Sequence, residues 1–119
     1  MNVAVIGASD KPERYSYQAV LLLKGAGHRV YPVHRRVKGI QGIAVFSSLE
    51  EIQDAIDTVT LYVNADISNA MAESILAKRP RRIIFNPGAE NLALEEAARR
   101  EGIETLNACT LVLLKTGRF

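Results

Sequence analysis

Five short runs rich in β-branched residues mark the chain: Val3–Ile6, Arg29–Val33, Thr58–Val63, Arg82–Phe85 and Glu104–Leu106. They begin 22 to 29 residues apart, the spacing that strand–helix–strand units need. Val3–Ile6 and Arg82–Phe85 are nearly continuous apolar runs, as expected of strands buried on both faces of a parallel sheet. Between the runs the period lengthens. Ile67, Ala70, Met71, Ser74 and Ile75 fall at i, i+3, i+4, i+7 and i+8, one narrow face of a helix, and Leu94, Ala97 and Ala98 mark a similar face further on. Gly27 and Gly102 stand where a helix ends in a residue of positive φ, and each is followed by a strand. Pro80 ends a helix because it cannot continue the ladder, and Arg99 and Arg100 suit a last turn, where the helix dipole favours positive charge. A weaker segment, Ala44–Phe46 followed by Ser47–Ile52, predicts a short edge strand and a short helix.

This alternation predicts an α/β fold, with a doubly wound, mainly parallel sheet of five to six strands and helices on both faces, Rossmann-like, in a single domain over residues 1–119. Right-handed crossovers place the first strand centrally, with the chain running outward one way and then the other. In such sheets ligands bind at the carboxyl ends of the strands, where the winding reverses. The loops after Ile6, Val33, Val63 and Phe85 are therefore the ones that carry chemistry.

Composition narrows the function classes. Hydrophobic residues make up 48% of the 119 residues, enough for a core, and 15 Lys and Arg against 13 Asp and Glu leave a net charge of only +2. That is too little for a general nucleic-acid or membrane-surface binder, and three Phe, four Tyr and no Trp offer few platforms for stacked bases. One cysteine excludes an internal disulfide and a Cys-rich zinc site. The chain shows no charged leader, cleavage site or apolar run of about 18 residues, so the expected location is cytoplasmic. Its length leaves no room for an enzyme that needs a second domain in the same chain.

The first loop reads Gly7-Ala8-Ser9-Asp10-Lys11-Pro12-Glu13-Arg14-Tyr15-Ser16. A glycine here lets backbone approach a phosphate, Ser9 or Ser16 can donate a hydroxyl hydrogen bond, and Arg14 can add a charge-assisted contact to a diphosphate. The dinucleotide fingerprint is absent, because Ser9 and Pro12 stand where it requires glycine. The same residues also read as a plain turn in which Asp10 caps a helix and Glu13 closes a capping box. The helix then starts near Lys11; in the phosphate reading it starts only after Ser16.

After the second strand come His34-Arg35-Arg36-Val37-Lys38. NAD-binding domains place a carboxylate here to hold the ribose hydroxyls, whereas this end is basic, which suits a phosphorylated ribose: that of coenzyme A, with its 3′-phosphate, or of NADP. A solvated basic loop fits the same residues. In the third loop Asp66 is the expected helix N-cap and small Ala65 allows a ligand to lie against the backbone. In the fourth, Gly88 sits in a turn with Asn91 as a cap. Cys109 reads as a small buried hydrophobe, and the Lys78, Arg79, Arg81 and Arg82 cluster reads as a solvated helix end. His28 and His34 have no metal-ligand partner at helical spacing, and no catalytic constellation stands out.

At these residues the sequence resembles the small, single-domain coenzyme A-binding proteins, which share a fold with the coenzyme A-binding domain of the succinyl-CoA synthetase α subunit. The resemblance covers nearly the whole chain and rests on Val5-Ile6-Gly7-Ala8-Ser9 with Pro12, Arg14, Ser16 and Tyr17, then Val30-Tyr31-Pro32-Val33. Gly42 with Val45 and Phe46, the Asn86-Pro87-Gly88-Ala89-Glu90-Asn91 turn, and Asn107 with Cys109 complete it. It implies that Gly7, Ala8, Ser9, Arg14 and Ser16 cradle the phosphates. By the same resemblance Val33, His34 and Arg35 meet the adenosine side, and Val63, Asn64, Ala65, Pro87 and Gly88 line the rest of the groove. This chain departs from the family pattern in one place: many relatives carry Asn-Pro after the Pro-Val pair, and here the residues are His34-Arg35. The synthetase's phosphohistidine lies in a second domain outside the resemblance. The expected function is non-catalytic binding of coenzyme A or acyl-CoA. The alternatives are an NAD(P)(H)-binding sensor, or a subunit that completes an acyl-CoA enzyme with a partner chain. Homo-oligomerisation is compatible with each.

Overall fold

The computed structural model describes Met1–Phe119. In chain order the elements are β1 (Asn2–Ile6), α1 (Tyr15–Gly25), β2 (Arg29–Val33), β3 (Gly39–Ile40), β4 (Ile43–Ala44), a 3-10 turn (Leu49–Glu51) and β5 (Thr58–Leu61). Then follow α2 (Ala65–Ala70), α3 (Ala72–Ala77), β6 (Arg82–Phe85), α4 (Leu92–Arg100), β7 (Glu104–Asn107) and α5 (Thr110–Lys115). Five strands form one parallel sheet in the order β2-β1-β5-β6-β7. The register aligns Ile6 with Val33 and Leu61, Leu61 with Phe85, and Phe85 with Asn107, so the carboxyl ends form one rim. The winding reverses between β1 and β5. The fold is thus the Rossmann-like α/β sheet expected from the strand spacing, with one adjustment. β1 is interior but the middle place belongs to β5, because three strands follow on one side and only β2 lies on the other.

Side chains alternate across β1 and divide the core in two. Val3 and Val5 pack with Ala8, Tyr17, Val20 and Leu23 of the α1 side, while Ala4 and Ile6 join Val59, Leu61, Ile83, Phe85, Ile75 and Leu94 on the other. Each such buried aliphatic side chain contributes about 1.5–3 kcal/mol, which fixes the pleat and hence the positions of the strand ends. On the first face β5 brings the polar Thr58 and Thr60, and β6 brings Arg82 and Ile84. Asn86 donates to Thr60 Oγ1 (2.7 Å) and to the Leu61 carbonyl (2.9 Å), and its Oδ1 accepts the Thr110 N–H (2.8 Å), clipping α5 to the sheet.

Several local expectations change. The edge strand expected at Ala44–Phe46 is instead a hairpin, β3 paired antiparallel with β4, turned by Gln41 (φ 48°) and Gly42 (φ 80°). Two left-handed residues make the tight turn whose twist matches a hairpin. Only Phe46 reaches the main sheet, through one parallel bridge to Val33. The helix expected within Ser47–Ile52 shrinks to Leu49–Glu51. The helical face starting at Ile67 belongs to two helices, because Met71 leaves the helical region (φ −100°, ψ 1°) between α2 and α3. Its N-cap is Asn64, whose Oδ1 accepts the Ile67 N–H at 3.0 Å, rather than Asp66. α1 begins at Tyr15 with Arg14 at the N-cap and no side-chain cap, so Asp10 and Glu13 form no capping box. Asn91 caps α4 as expected, and Gly27 and Gly102 have φ of 91° and 77°.

Candidate functional site

The turn after β1 is built around Gly7. Its φ is +86°, and a Cβ there would stand 2.8 Å from Val63 Cγ1 and 2.9 Å from the Tyr62 carbonyl oxygen, so no larger residue fits where the β1 and β5 ends converge. The N–H groups of Gly7 and Ala8 both donate to Val33 O, at 3.1 and 3.3 Å. These two amides therefore tie the β1 turn to β2 and are not free for a ligand. Further along, the Ser9 hydroxyl accepts the Lys11 N–H at 3.1 Å. The amides of Tyr15, Ser16 and Tyr17, which open α1, have no acceptor in the chain.

A cleft of about 760 Å³ lies over this turn, lined by Gly7, Ala8, Ser9, Arg14, Tyr15 and Ser16 together with His34, Val37 and Tyr62. Ser16 is buried, Arg14 is exposed, and Arg14 has no carboxylate within ion-pair distance. Free N–H groups, hydroxyls and a guanidinium converge there, as anion binding requires. Asp10 and Glu13 also line the cleft and balance Lys11 and Arg14, so attraction depends on placement rather than net field.

A second cleft, of about 710 Å³, adjoins it and shares Gly7 and His34. Its walls are Val33, Arg35 and Arg36 from the β2 end, Val63, Ile67, Ala70 and Met71 from the α2 side, and Ser47, Ser48 and Ser74. Arg35 and Arg36 are exposed and form no ion pair, though Glu50 and Asp66 lie in the same cleft. His34 Nδ1 accepts the N–H groups of Arg36 (3.0 Å) and Val37 (3.2 Å), which leaves its proton on Nε2. Between them the clefts hold Gly7, Ala8, Ser9, Arg14, Ser16, Val33, His34, Arg35 and Val63. Asn64, Ala65, Pro87 and Gly88 lie outside both. Asn64 caps α2, the Ala65 carbonyl accepts from Asn91 Nδ2 (3.4 Å), and the Gly88 N–H donates to Glu90 Oε1 (2.9 Å) beside exposed Pro87. Cys109, half-buried at the start of α5, lines neither cleft.

Tyr62 escaped the sequence reading. Its hydroxyl is buried near Thr60 and Thr110, which bond each other at 2.7 Å, and has no hydrogen-bond partner of its own. Burial pushes its phenol well above the ordinary range, so it stays protonated. Its position next after β5, at the carboxyl end, was the available signal. Ile67 and Met71 escaped too, because their periodicity read only as a core-facing stripe.

The family model described as a CoA binding domain matches residues 1–115. Uncharacterized protein YneT of Bacillus subtilis is 32% identical over 74 residues, which is 62% of this chain and 55% of that protein. The ADP-forming acetate–CoA ligase II subunit alpha of Pyrococcus furiosus is 37% identical over 62 residues, 51% of this chain and 14% of that subunit. A crystal structure of an uncharacterized protein, 39% identical, superposes with a TM-score of 0.93 over 99% of this chain and 97% of the other.

Proposed function

The chain belongs to the CoA binding domain family, and on that premise we propose that it binds coenzyme A or an acyl-CoA without itself catalysing a reaction. The observation that carries this reading is the pair of clefts joined at Gly7 and His34, on the rim where the sheet winding reverses. The diphosphate sits at the opening of α1, against the Tyr15, Ser16 and Tyr17 amides, the Ser9 and Ser16 hydroxyls and Arg14. Arg35 and Arg36 take the phosphorylated ribose, and Val33, Val63, Ile67 and Met71 wall the base.

Binding is favoured over catalysis by the state of the one imidazole in the clefts. His34 Nδ1 already accepts two amides, so that nitrogen is committed to holding the turn. A second reading draws on the similarity to a ligase α subunit: the chain completes an acyl-CoA enzyme with a partner chain. NADP finds no support in the comparisons.

A thermal-shift panel tests the proposal. Coenzyme A at a hundred times its Kd contributes about 2.7 kcal/mol, and each kcal/mol raises Tm by about 4–8 °C in a domain of ~60–100 residues and by somewhat less in a larger one. Coenzyme A and acetyl-CoA are expected to shift Tm while NAD(H) and NADP(H) do not. A shift by the nicotinamide nucleotides alone would reverse the assignment.

A further inference from the structure

β2 ends at Val33, and the chain leaves it through His34, Arg35, Arg36 and Val37. Three hydrogen bonds fix His34 in this turn. Its backbone N–H donates to the Phe46 carbonyl at 2.9 Å, and ring Nδ1 accepts from the amides of Arg36 and Val37 at 3.0 and 3.2 Å. A side chain that reaches forward to the amides at i+2 and i+3 is a device usually supplied by Asn, Asp or Ser. Here an imidazole supplies it, and the turn it closes carries both free guanidinium groups of the second cleft.

Charge alone does not make that cleft select a phosphate. Arg35 and Arg36 face two carboxylates, Glu50 and Asp66, across the same space, and in the adjoining cleft Lys11 and Arg14 stand with Asp10 and Glu13. With the lining charges balanced, selectivity has to come from where the guanidinium groups are held. An exposed Arg pair on an unfixed turn loses backbone and side-chain freedom on gripping a phosphate, and a turn already closed loses less.

We propose that His34 is a positioning residue whose Nδ1 closes the Arg35–Arg36 turn and thereby sets a preference for the 3′-phosphorylated ribose of coenzyme A over the bare ribose of its dephosphorylated form. The inference rests on the coenzyme A reading above.

The test is calorimetric titration of coenzyme A and of 3′-dephospho-coenzyme A into the wild type, His34→Ala and His34→Asn, with circular dichroism confirming that each variant is folded. Asn retains a side-chain acceptor for the turn amides, and Ala retains none. The expected result is that His34→Ala loses about tenfold or more of the wild-type preference, the worth of a charge-assisted hydrogen bond, its affinity for coenzyme A falling further than its affinity for the dephosphorylated ligand. His34→Asn keeps most of the preference, and amide exchange at Arg36 and Val37 is faster in the Ala variant than in the Asn variant. An unchanged preference in folded His34→Ala overturns the inference and leaves the coenzyme A reading standing. So does a wild type that binds both ligands equally. A wild type that binds neither contradicts the coenzyme A reading and this inference with it.

Discussion

Gly7 is held by two independent constraints, a positive φ and a contact distance that no Cβ satisfies. Gly7→Ala is expected to destabilise the fold by at least ~1–2 kcal/mol from the left-handed backbone alone, with the clash against Val63 and the Tyr62 carbonyl adding to it. Urea unfolding measures this, and a loss below ~0.5 kcal/mol would show that the turn relaxes freely. His28 belongs to a different corner, at the amino ends of the strands. Its ring lies 3.3 Å from the N-terminal amine and edge-on to Phe119, whose ring sits over the Arg82 guanidinium. Burial, then the N-terminal amine and Arg82, hold its pKa below the ordinary 6.5, with Asp57 opposing. The folded state therefore resists the proton that the unfolded chain accepts. Stability from this site is intact above about pH 7 and falls as acid takes the pH through the ordinary imidazole range. His28→Gln is expected to flatten the fall in Tm between about pH 7 and 5, and an unchanged slope would assign it elsewhere.

At the scale of elements, Asn91 joins two helices that sequence alone kept apart. Its Oδ1 caps α4 through Leu94, while Nδ2 donates to Ser68 Oγ (2.7 Å) and Asn69 Oδ1 (2.8 Å) of α2. Asn91→Ala is expected to cost about 1–3 kcal/mol, more than an exposed cap alone, because it leaves the buried Ser68 hydroxyl and the buried Leu94 amide unmatched. Chemical denaturation reads the loss, and a cost near ~0.5 kcal/mol would mean that water replaces the network. Asn91 was legible as a cap because capping is local. Its grip on α2 was not, since Ser68 and Asn69 lie 23 and 22 residues away. The same reasoning explains the other differences. Periodicity reports a shared apolar face, so α2 and α3 looked like one helix across Met71. Residues 111–114 are continuously apolar and carry no helical period, so α5 gave no signal of its own. The β3–β4 hairpin is four strand residues around Gln41-Gly42, too short for a run of alternation.

For the molecule as a whole, the regular spacing of five strand-like runs made the doubly wound sheet legible, and the sheet directed attention to its carboxyl rim. The first two loops carry through into the clefts because their residues follow their strands directly. Of the third loop Val63 also reaches a cleft, while the rest of it and the fourth loop are held by the hydrogen bonds of Asn64, Asn86 and Asn91, whose acceptors and donors only the folded chain brings near. No helix is long and apolar enough to cross a membrane. What remains is a rim on which two adjoining clefts present hydroxyls, open amides and four unpaired cations, the groups on which the proposed coenzyme A binding rests. Calorimetric titration of coenzyme A into the wild type and Arg14→Ala tests this most directly. Saturable one-site binding, weakened by about 1.5–3 kcal/mol on loss of the Arg14 guanidinium, is the predicted result. Absence of binding at millimolar coenzyme A, or equal affinity in the two proteins, would contradict it.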